Sequence, residues 1–203
     1  IRDFVFYLSC KYDDWNFRLN LYKLAIFAGK EKDIKGIKNS YPEILNKMTS
    51  DEAVSVMDFC LNHPLAHKRL SCQLLAFGAV GYFLNDEKFA QYQKTIVEEI
   101  HSWLNSDIAV LSIGQNIFKC LSGVAYRIPQ DILAEICCQF IDKHYSRWHM
   151  DMFKFIANHI DLTKMSDESA YRLVEHINAV LDNENEREQI SYAATFLCVL
   201  RKQ

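Results

Sequence analysis

The sequence contains few of the residues that make tight turns. Among its 203 residues there are 6 glycines and 3 prolines, whereas average usage is roughly 7% and 5%. Sandwiches, barrels and doubly wound sheets need frequent turns, and those turns favour glycine and proline. The scarcity of both residues disfavours these folds and predicts an all-α protein of long helices with short connections.

The sequence also lacks a long hydrophobic run and an excess of positive charge. Its longest apolar run, 74–84, has eleven residues, about half of what a membrane-spanning helix needs. The net charge is -3 and the pI is about 6.2, which disfavours a protein that neutralises phosphates along a duplex. We therefore expect no membrane contact and no general affinity for nucleic acids, although a local basic surface is compatible with the acidic total.

The chain has seven cysteines, an odd number that cannot all be paired. Five of them lie among apolar residues at helical spacing, where a free thiol behaves as a small hydrophobic side chain. This usage favours a reducing compartment and predicts a cytoplasmic location. The five are Cys60, Cys72, Cys120, Cys137 and Cys198.

The first residues do not resemble a signal peptide. The chain begins with Ile1, and its apolar opening contains Asp3 and no small-residue cleavage site. We therefore expect the sequence to be part of a longer polypeptide.

Four similar short junctions recur along the chain. Their first residues are 43, 37 and 40 residues apart, and a period near 40 is typical of arrays of helical hairpins. Before each junction, apolar residues follow the i, i+3, i+4, i+7 spacing of a helix with one buried face. Each junction is therefore interpreted as the turn between an outer and an inner helix. The junctions lie at 61–64, 104–107, 141–144 and 181–184, and the predicted helices at about 50–62, 64–84, 86–104, 107–126, 129–144, 146–160, 167–182 and 185–201.

Local signals mark several of the helix starts. Thr49 with Glu52 predicts a capping box, as does the segment 183–186. Ser166 is followed by two acids, which is typical of an N-cap and a first helical turn. Pro129 suits the first position of a helix, where no backbone N–H is needed.

The junctions and apolar stripes resemble those of the HEAT-like α-solenoid family. The resemblance covers residues 50–203 and implies a right-handed superhelical stack of antiparallel helical hairpins. The second repeat departs from the family pattern, because Ser112 stands where a basic residue is expected. Besides the junctions and stripes, the residues that carry the resemblance are Pro64, Lys68, Arg69 and Arg187.

We accordingly predict one continuous domain of four hairpins that follows an irregular N-terminal cap. Residues 13–29 predict one helix and residues 30–47 one or two short helices, and terminal units of such arrays are often atypical. The cap occupies residues 1–49, and the hairpins lie at about 50–84, 86–127, 129–160 and 167–203.

Charge is distributed unequally between the two predicted helix sets. The outer helices sum to a net charge of -10 and the inner helices to +4. One interpretation is that Asp and Glu collect at helix starts for capping and macrodipole reasons. The other is that the inner helices, which the resemblance places on a concave face, present cations to an acidic segment or a phosphate backbone. On this second interpretation the partner-binding residues are Lys68, Lys119, Arg147, Trp148 and Lys154.

No residue pattern predicts catalysis or a metal site. Two cysteines and two histidines lie close together within 60–72, but their spacing is not that of a tetrahedral zinc site. Cys137 and Cys138 are adjacent on a predicted helix and face different directions, which disfavours a redox pair. Motifs for nucleophilic hydrolysis, phosphate binding, zinc proteolysis and dinucleotide binding are missing from the sequence. We expect no catalytic residue, no metal and no cofactor.

A second resemblance concerns tryptophan and aspartate near two hairpin turns. Trp103 with Asp107, and Trp148 with Asp151, are similar to the aromatic and carboxylate residues of the HEAT-like alkylpurine DNA glycosylases. In that family the rings hold a cationic base and the carboxylate stabilises the charge that develops at the sugar. The simpler interpretation is that Asp107 caps a helix and that Trp103 anchors the core.

The sequence thus predicts a non-catalytic interaction or scaffold module for an extended or acidic protein or peptide partner. One alternative is a HEAT-like DNA-binding or repair protein of the alkylpurine DNA glycosylase type. Another is a sensor or regulatory segment of a multidomain signalling protein. Both alternatives remain open from the residues alone.

Overall fold

The structure, a computed structural model, describes residues 16, 19, 20, 23, 48–62, 66–106, 117–143 and 146–182. Within these ranges the chain forms α-helices and short 3-10 turns, and it forms no β-strand. This confirms the all-α class predicted from the scarcity of glycine and proline. None of the helices in these ranges is both long and apolar enough to cross a bilayer.

The helix bounds agree closely with the apolar periodicity. All four described residues of the predicted helix 13–29 are helical. Residues 117–121 are helical inside the range predicted as 107–126, whereas the predicted helix 185–201 lies outside the described residues. The remaining helices are α1 (Ser50–Leu61), α2 (Ala66–Val80), α3 (Asp86–Leu104), α4 (Gln130–Asp142), α5 (Ser146–His159) and α6 (Asp167–Leu181).

Two inner helices end earlier than the sequence indicated. The predicted range 64–84 ends as an α-helix at Val80, and the helical segment 117–121 ends well before 126. In each case a 3-10 turn follows, at Gly81–Phe83 or at Ala125–Arg127. Apolar residues at a spacing of three fit either kind of helix, so periodicity alone does not separate the two.

The connection from an inner to an outer helix has the same form at three places in the chain. A 3-10 turn is followed by two residues and then by the next outer helix. The third of these turns, Leu162–Lys164, precedes α6. The turns begin 44 and 37 residues apart, close to the interval predicted from the junctions. The first residue after each turn is extended, with ψ between 133° and 167°.

The capping signals are confirmed at two helix starts and differ by one position at a third. Thr49 N donates to Glu52 Oε2 at 2.7 Å and Glu52 N donates to Thr49 Oγ1 at 3.3 Å, so the predicted capping box is present. Ser166 Oγ accepts from Ser169 N at 3.3 Å at the start of α6. Pro129 is the N-cap of α4 rather than its first residue, because its ψ of 136° is extended. The capping box predicted at 183–186 lies outside the described residues.

The chain divides into two compact units, 1–96 and 97–203, and the division falls within α3. In the first unit α1 packs against α2, and Phe77 of α2 stacks on Phe89 of α3 with ring centroids 5.0 Å apart. Asn85 N donates to Ser50 Oγ at 2.9 Å, and Tyr92 Oη donates to Asp58 Oδ1 at 2.6 Å. The partners are 35 and 34 residues apart, so α1 and α3 run in the same direction side by side.

The core of the second unit contains a cluster of aromatic rings. Phe118 lies 4.9 Å from Phe140 of α4 and 5.4 Å from Phe155 of α5, measured between ring centroids. The ring centroids of Trp103 and Phe140 are 6.3 Å apart. These contacts join the segment 117–121, α4 and α5, and burial of each such ring contributes roughly 1.5–3 kcal/mol of transfer free energy.

Hydrogen bonds set the direction of the helices in the second unit. Ser166 N donates to Asp131 Oδ1 at 2.9 Å, and His176 Nε2 lies 2.9 Å from Asp142 Oδ1. These contacts hold the start of α6 beside the start of α4 and its middle beside the end of α4, so the two helices are parallel. Gln130 at the start of α4 instead contacts the end of α5, which makes α4 and α5 an antiparallel pair.

Candidate functional site

Two of the five predicted partner-binding side chains are described, and both are exposed. Lys119 lies on the segment 117–121 and Lys154 on α5. Each follows or precedes a residue of the Phe118–Phe155 contact, so the two lysines are carried by elements that pack directly on one another. Lys68, Arg147 and Trp148 occupy helical positions in α2 and α5, and their side chains lie outside the described part of the chain.

The outer helices carry most of the exposed acids, and only some of these acids cap helices. Glu52 acts in the capping box, and Asp131 accepts from both the N–H and the hydroxyl of Ser166. Hydrogen bonds from Ser169 and Ser166 lower the pKa of Asp131 to about 2. Other exposed acids lie in the middle or at the end of a helix, where the macrodipole does not favour them. These are Asp58 of α1, Glu98 of α3, Glu135 and Asp142 of α4, and Glu175 of α6.

A cleft of about 460 Å³ opens between the start of α4 and the end of α5. Its volume lies within the range of roughly 300–1,000 Å³ that is typical of ligand sites. The sequence did not predict it, because its two walls are about 30 residues apart and meet only through tertiary contacts. It is lined by Tyr126, Arg127, Ile128, Pro129, Gln130, Asn158, His159, Asp161 and Lys164.

Gln130 holds the two walls of the cleft together. Its Oε1 accepts from Asp161 N at 2.9 Å, and its Nε2 lies 3.4 Å from His159 O. One amide side chain at the first position of α4 therefore bonds to a backbone group of the last residue of α5 and to one just beyond that helix. The contact fixes the spacing of the lining residues on both sides.

The acid of the cleft is neutralised within its own turn. Asp161 accepts from Thr163 Oγ1 at 2.6 Å and from Thr163 N at 3.1 Å, and Lys164 Nζ lies 3.0 Å from its second oxygen. The hydrogen bond from Thr163, followed by that from Lys164, lowers the pKa of Asp161. The carboxylate is thus ionised, and its charge is paired with that of Lys164. Arg127 is a second cation in the lining.

His159 is a half-buried, uncharged base in the cleft. Its ring lies 5.1 Å from that of Phe155, measured between centroids. Burial lowers the pKa of His159, so the imidazole is neutral at pH 7 and offers one donor and one acceptor. Within the described residues its ring nitrogens have no hydrogen-bond partner.

The described cysteines are buried thiols rather than nucleophiles. Burial, with a smaller effect of Cys72, raises the pKa of Cys60 to about 12. Burial also raises the pKa of Cys138 to about 11, and it raises the pKa of Cys137 well above the usual value of a thiol. A thiolate is needed for attack or for metal binding, and in the part of the chain that the structure describes no three His, Cys, Asp or Glu residues could hold a metal ion.

The residues similar to those of the DNA glycosylases are only partly described. Trp103 is half-buried against Phe140, as a core anchor would be. Asp151 is half-buried on α5, whereas Asp107 and the side chain of Trp148 lie outside the described residues.

Comparisons of the chain with protein-family models, with curated proteins and with solved structures gave no significant match. The resemblance to the HEAT-like family therefore remains a prediction from the residues.

One sequence signal could have pointed to the cleft: Val80-Gly81-Tyr82 and Val124-Ala125-Tyr126 are similar tripeptides, and both tyrosines are 64% exposed.

Proposed function

We propose that this chain is a non-catalytic interaction module that binds an acidic segment of a partner protein through its inner helices. The observation that carries the proposal is the unequal distribution of exposed acids. Within the described residues, exposed acids lie along α1, α3, α4 and α6, together with exposed cations such as Lys94 and Arg172, whereas the inner elements expose Lys119 and Lys154 and no acid. The range 64–84, which includes α2, contains no acidic residue.

Capping does not account for this separation. Acids at helix starts explain part of the acidic outer set, but Glu98, Glu135 and Glu175 lie beyond the first turn. Helix starts also occur in the inner set, and an acid in a first turn is missing from both α2 and α5. The capping interpretation predicts acids at both sets of helix starts, so a surface selected for charge fits the pattern better.

The packing contacts favour a HEAT-like stack as the architecture behind this function. Along the chain, α2 lies between the parallel helices α1 and α3, and α5, which is antiparallel to α4, lies between the parallel helices α4 and α6. Within the second unit, His101 Nδ1 at the end of α3 lies 2.6 Å from Gln139 Oε1, so the end of α3 contacts α4. In such a stack the inner helices form one concave wall, and a rigid wall binds an extended segment through several weak contacts with little loss of receptor entropy.

The direct test is binding of a fluorescein-labelled decaglutamate peptide, followed by fluorescence anisotropy at about 50 mM and about 200 mM salt. We expect binding that weakens at the higher salt, because exposed charge pairs are screened. The double variant Lys119→Glu/Lys154→Glu should lose most of this affinity.

The matched control is Lys94→Glu/Lys143→Glu, which makes the same change in net charge on exposed lysines outside the inner helices. If the two double variants lose affinity equally, only net charge matters and the proposal fails. Absence of peptide binding at low salt would also contradict the proposal. A labelled DNA duplex that binds much more tightly than the peptide would replace the proposal with the DNA-binding alternative.

A further inference from the structure

We propose that His176 and Asp142 form a pH-sensitive latch, a contact that joins α6 to α4 most firmly when the imidazole is a cation. The latch lies within the second unit, between two outer helices, and it is independent of the proposed function. Because it depends on one proton of a histidine, the packing of these two helices responds to pH between about 6 and 8.

Both ring nitrogens of His176 face an oxygen atom that only accepts hydrogen bonds. Nδ1 lies 2.7 Å from the carbonyl oxygen of Arg172, one turn earlier in α6. Nε2 lies 2.9 Å from Asp142 Oδ1 at the end of α4. A carbonyl and an ionised carboxylate have no proton to donate. The ring therefore makes both hydrogen bonds only when both of its nitrogens carry a proton.

A neutral ring of His176 keeps only one of these two hydrogen bonds. Neutral imidazole has one N–H group and one nitrogen with a lone pair. In either tautomer that lone pair points at an oxygen lone pair, across 2.7 Å to Arg172 O or 2.9 Å to Asp142 Oδ1. Protonation removes this repulsion and makes the contact with Asp142 a charge-assisted hydrogen bond, the stronger kind.

The groups around the latch are of both signs. The side chain of His176 is 20% exposed and that of Asp142 is 53% exposed, so water screens the pair only in part. On α4, the described helix packed against α6, the Cys138 thiol lies within the electrostatic influence of Arg172, Asp142 and Glu135. The two carboxylates favour a cationic imidazole, and Arg172 opposes it. Exposed charges of each sign also neighbour the two partners in sequence, and these are Lys143 and Glu175.

The latch should stabilise the folded chain more at low pH than at high pH. A histidine of the unfolded chain takes up its proton near pH 6.5, and the folded arrangement of His176 favours the protonated form. The contribution to stability is therefore fully present below about pH 6.5 and is lost as the pH rises toward about 8.

The test is thermal unfolding of the full chain at about pH 6 and about pH 8, with His176→Gln, Asp142→Asn and the double variant. We expect the melting temperature of the native chain to exceed that of each single variant by about 2 °C more at the lower pH, as for a partly exposed ion pair. The double variant should show the same pH-dependent difference as either single variant, because each of them already breaks the latch.

Two variants serve as matched controls. Asp182→Asn removes an exposed carboxylate at the C-cap of α6 and should leave the pH dependence unchanged. His159→Gln should have the opposite sign. Burial lowers the pKa of His159, so this histidine destabilises the folded chain as the pH falls, and its replacement should raise the melting temperature more at about pH 6 than at about pH 8.

A second measurement observes the ring protons themselves. In ¹H–¹⁵N NMR spectra of the histidine-labelled chain, we expect two ring N–H signals of His176 at about pH 6 and one at about pH 8, assigned by their loss in His176→Gln. The latch is overturned if only one such signal is present at the lower pH. It is also overturned if the difference in melting temperature between the native chain and His176→Gln is equal at the two pH values, or if the two single effects add in the double variant.

Discussion

The connections at 81–85 and 125–129 have similar backbones and different surfaces. Each begins with a 3-10 turn whose second residue is a tyrosine, 64% exposed in both. In the first connection Phe83 follows, and its ring lies 5.2 Å from that of Tyr82 in an edge-to-face contact. In the second, Arg127 takes the corresponding position and lines the cleft. One side chain at the third turn position therefore decides whether the connection presents an aromatic pair or a cation.

The two connections also differ in how they cap the helix that follows. Asn85 caps α3, with its Oδ1 accepting from Lys88 N at 2.9 Å. Pro129 offers no side-chain cap to α4, and Gln130 instead bonds across to the end of α5. Both connections bond to a distant segment, Asn85 N to Ser50 Oγ and Gln130 Oε1 to Asp161 N, and they differ in that only the first supplies a side-chain cap to the next helix.

The largest expected effect comes from removing the aromatic packing beneath the second connection. Phe118→Ala deletes a ring that is 1% exposed and contacts Phe140 and Phe155. We expect a loss of about 3–5 kcal/mol in the free energy of unfolding, measured by urea denaturation. Tyr126→Ala, at the exposed surface of the same connection, should change it by about 0.5 kcal/mol or less. Equal losses in the two variants would show that the ring cluster is not the core of this region.

A smaller effect is expected from exchanging the residue that distinguishes the connections. Arg127→Phe gives the second connection the aromatic pair of the first, and Phe83→Arg places a cation on the first connection. Both positions are half-buried, so each exchange should lower the free energy of unfolding by about 1 kcal/mol, measured by urea denaturation. A loss as large as that of Phe118→Ala in either variant would show that this turn position belongs to the core.

The smallest effect concerns the links between neighbouring helix starts. The link from α1 to α3 uses the neutral hydroxyl of Ser50, whereas that from α4 to α6 uses the carboxylate of Asp131. The pKa of Asp131 is lowered from 3.8 to about 2. Its contribution to stability is therefore present above pH 4 and is lost as the pH falls toward 2.

Replacing the carboxylate tests this difference. Asp131→Ser makes the second link neutral, like the first, and should reduce the loss of melting temperature between pH 4 and pH 2. The same measurement on Ser50→Ala should leave the pH dependence unchanged. An identical acid profile for native chain and Asp131→Ser would contradict the assigned role of the carboxylate.

The helices could be predicted because their signals are local. The apolar stripe of α4 and the Thr49–Glu52 capping box depend on residues within one or two turns of each other. The predicted ends of the inner helices were less accurate, because the apolar residues near Val80 are compatible with both an α-helix and a 3-10 turn. Pro129 was misplaced by one position for a related reason, since its preferred φ is compatible with both the N-cap and the first helical residue.

The candidate site could be predicted only in part. Lys119 and Lys154 are exposed as expected from their polar positions in the helical pattern. His159 and Arg127 were not singled out, because each is unremarkable in its own segment and the two line one cleft only through the packing of distant segments. A single sequence contains no direct signal for such a contact between distant segments.

The amino-acid sequence by itself determined the helical class, the order of the helices and the unequal net charge of the two helix sets, because composition and periodicity act over a few residues. The tertiary structure decided which helix ends meet, through long-range contacts such as that between Gln130 and Asp161. It thereby decided that a cation, a neutral histidine and an exposed tyrosine line one cavity. Such a cavity depends on packing between segments that are distant in the chain.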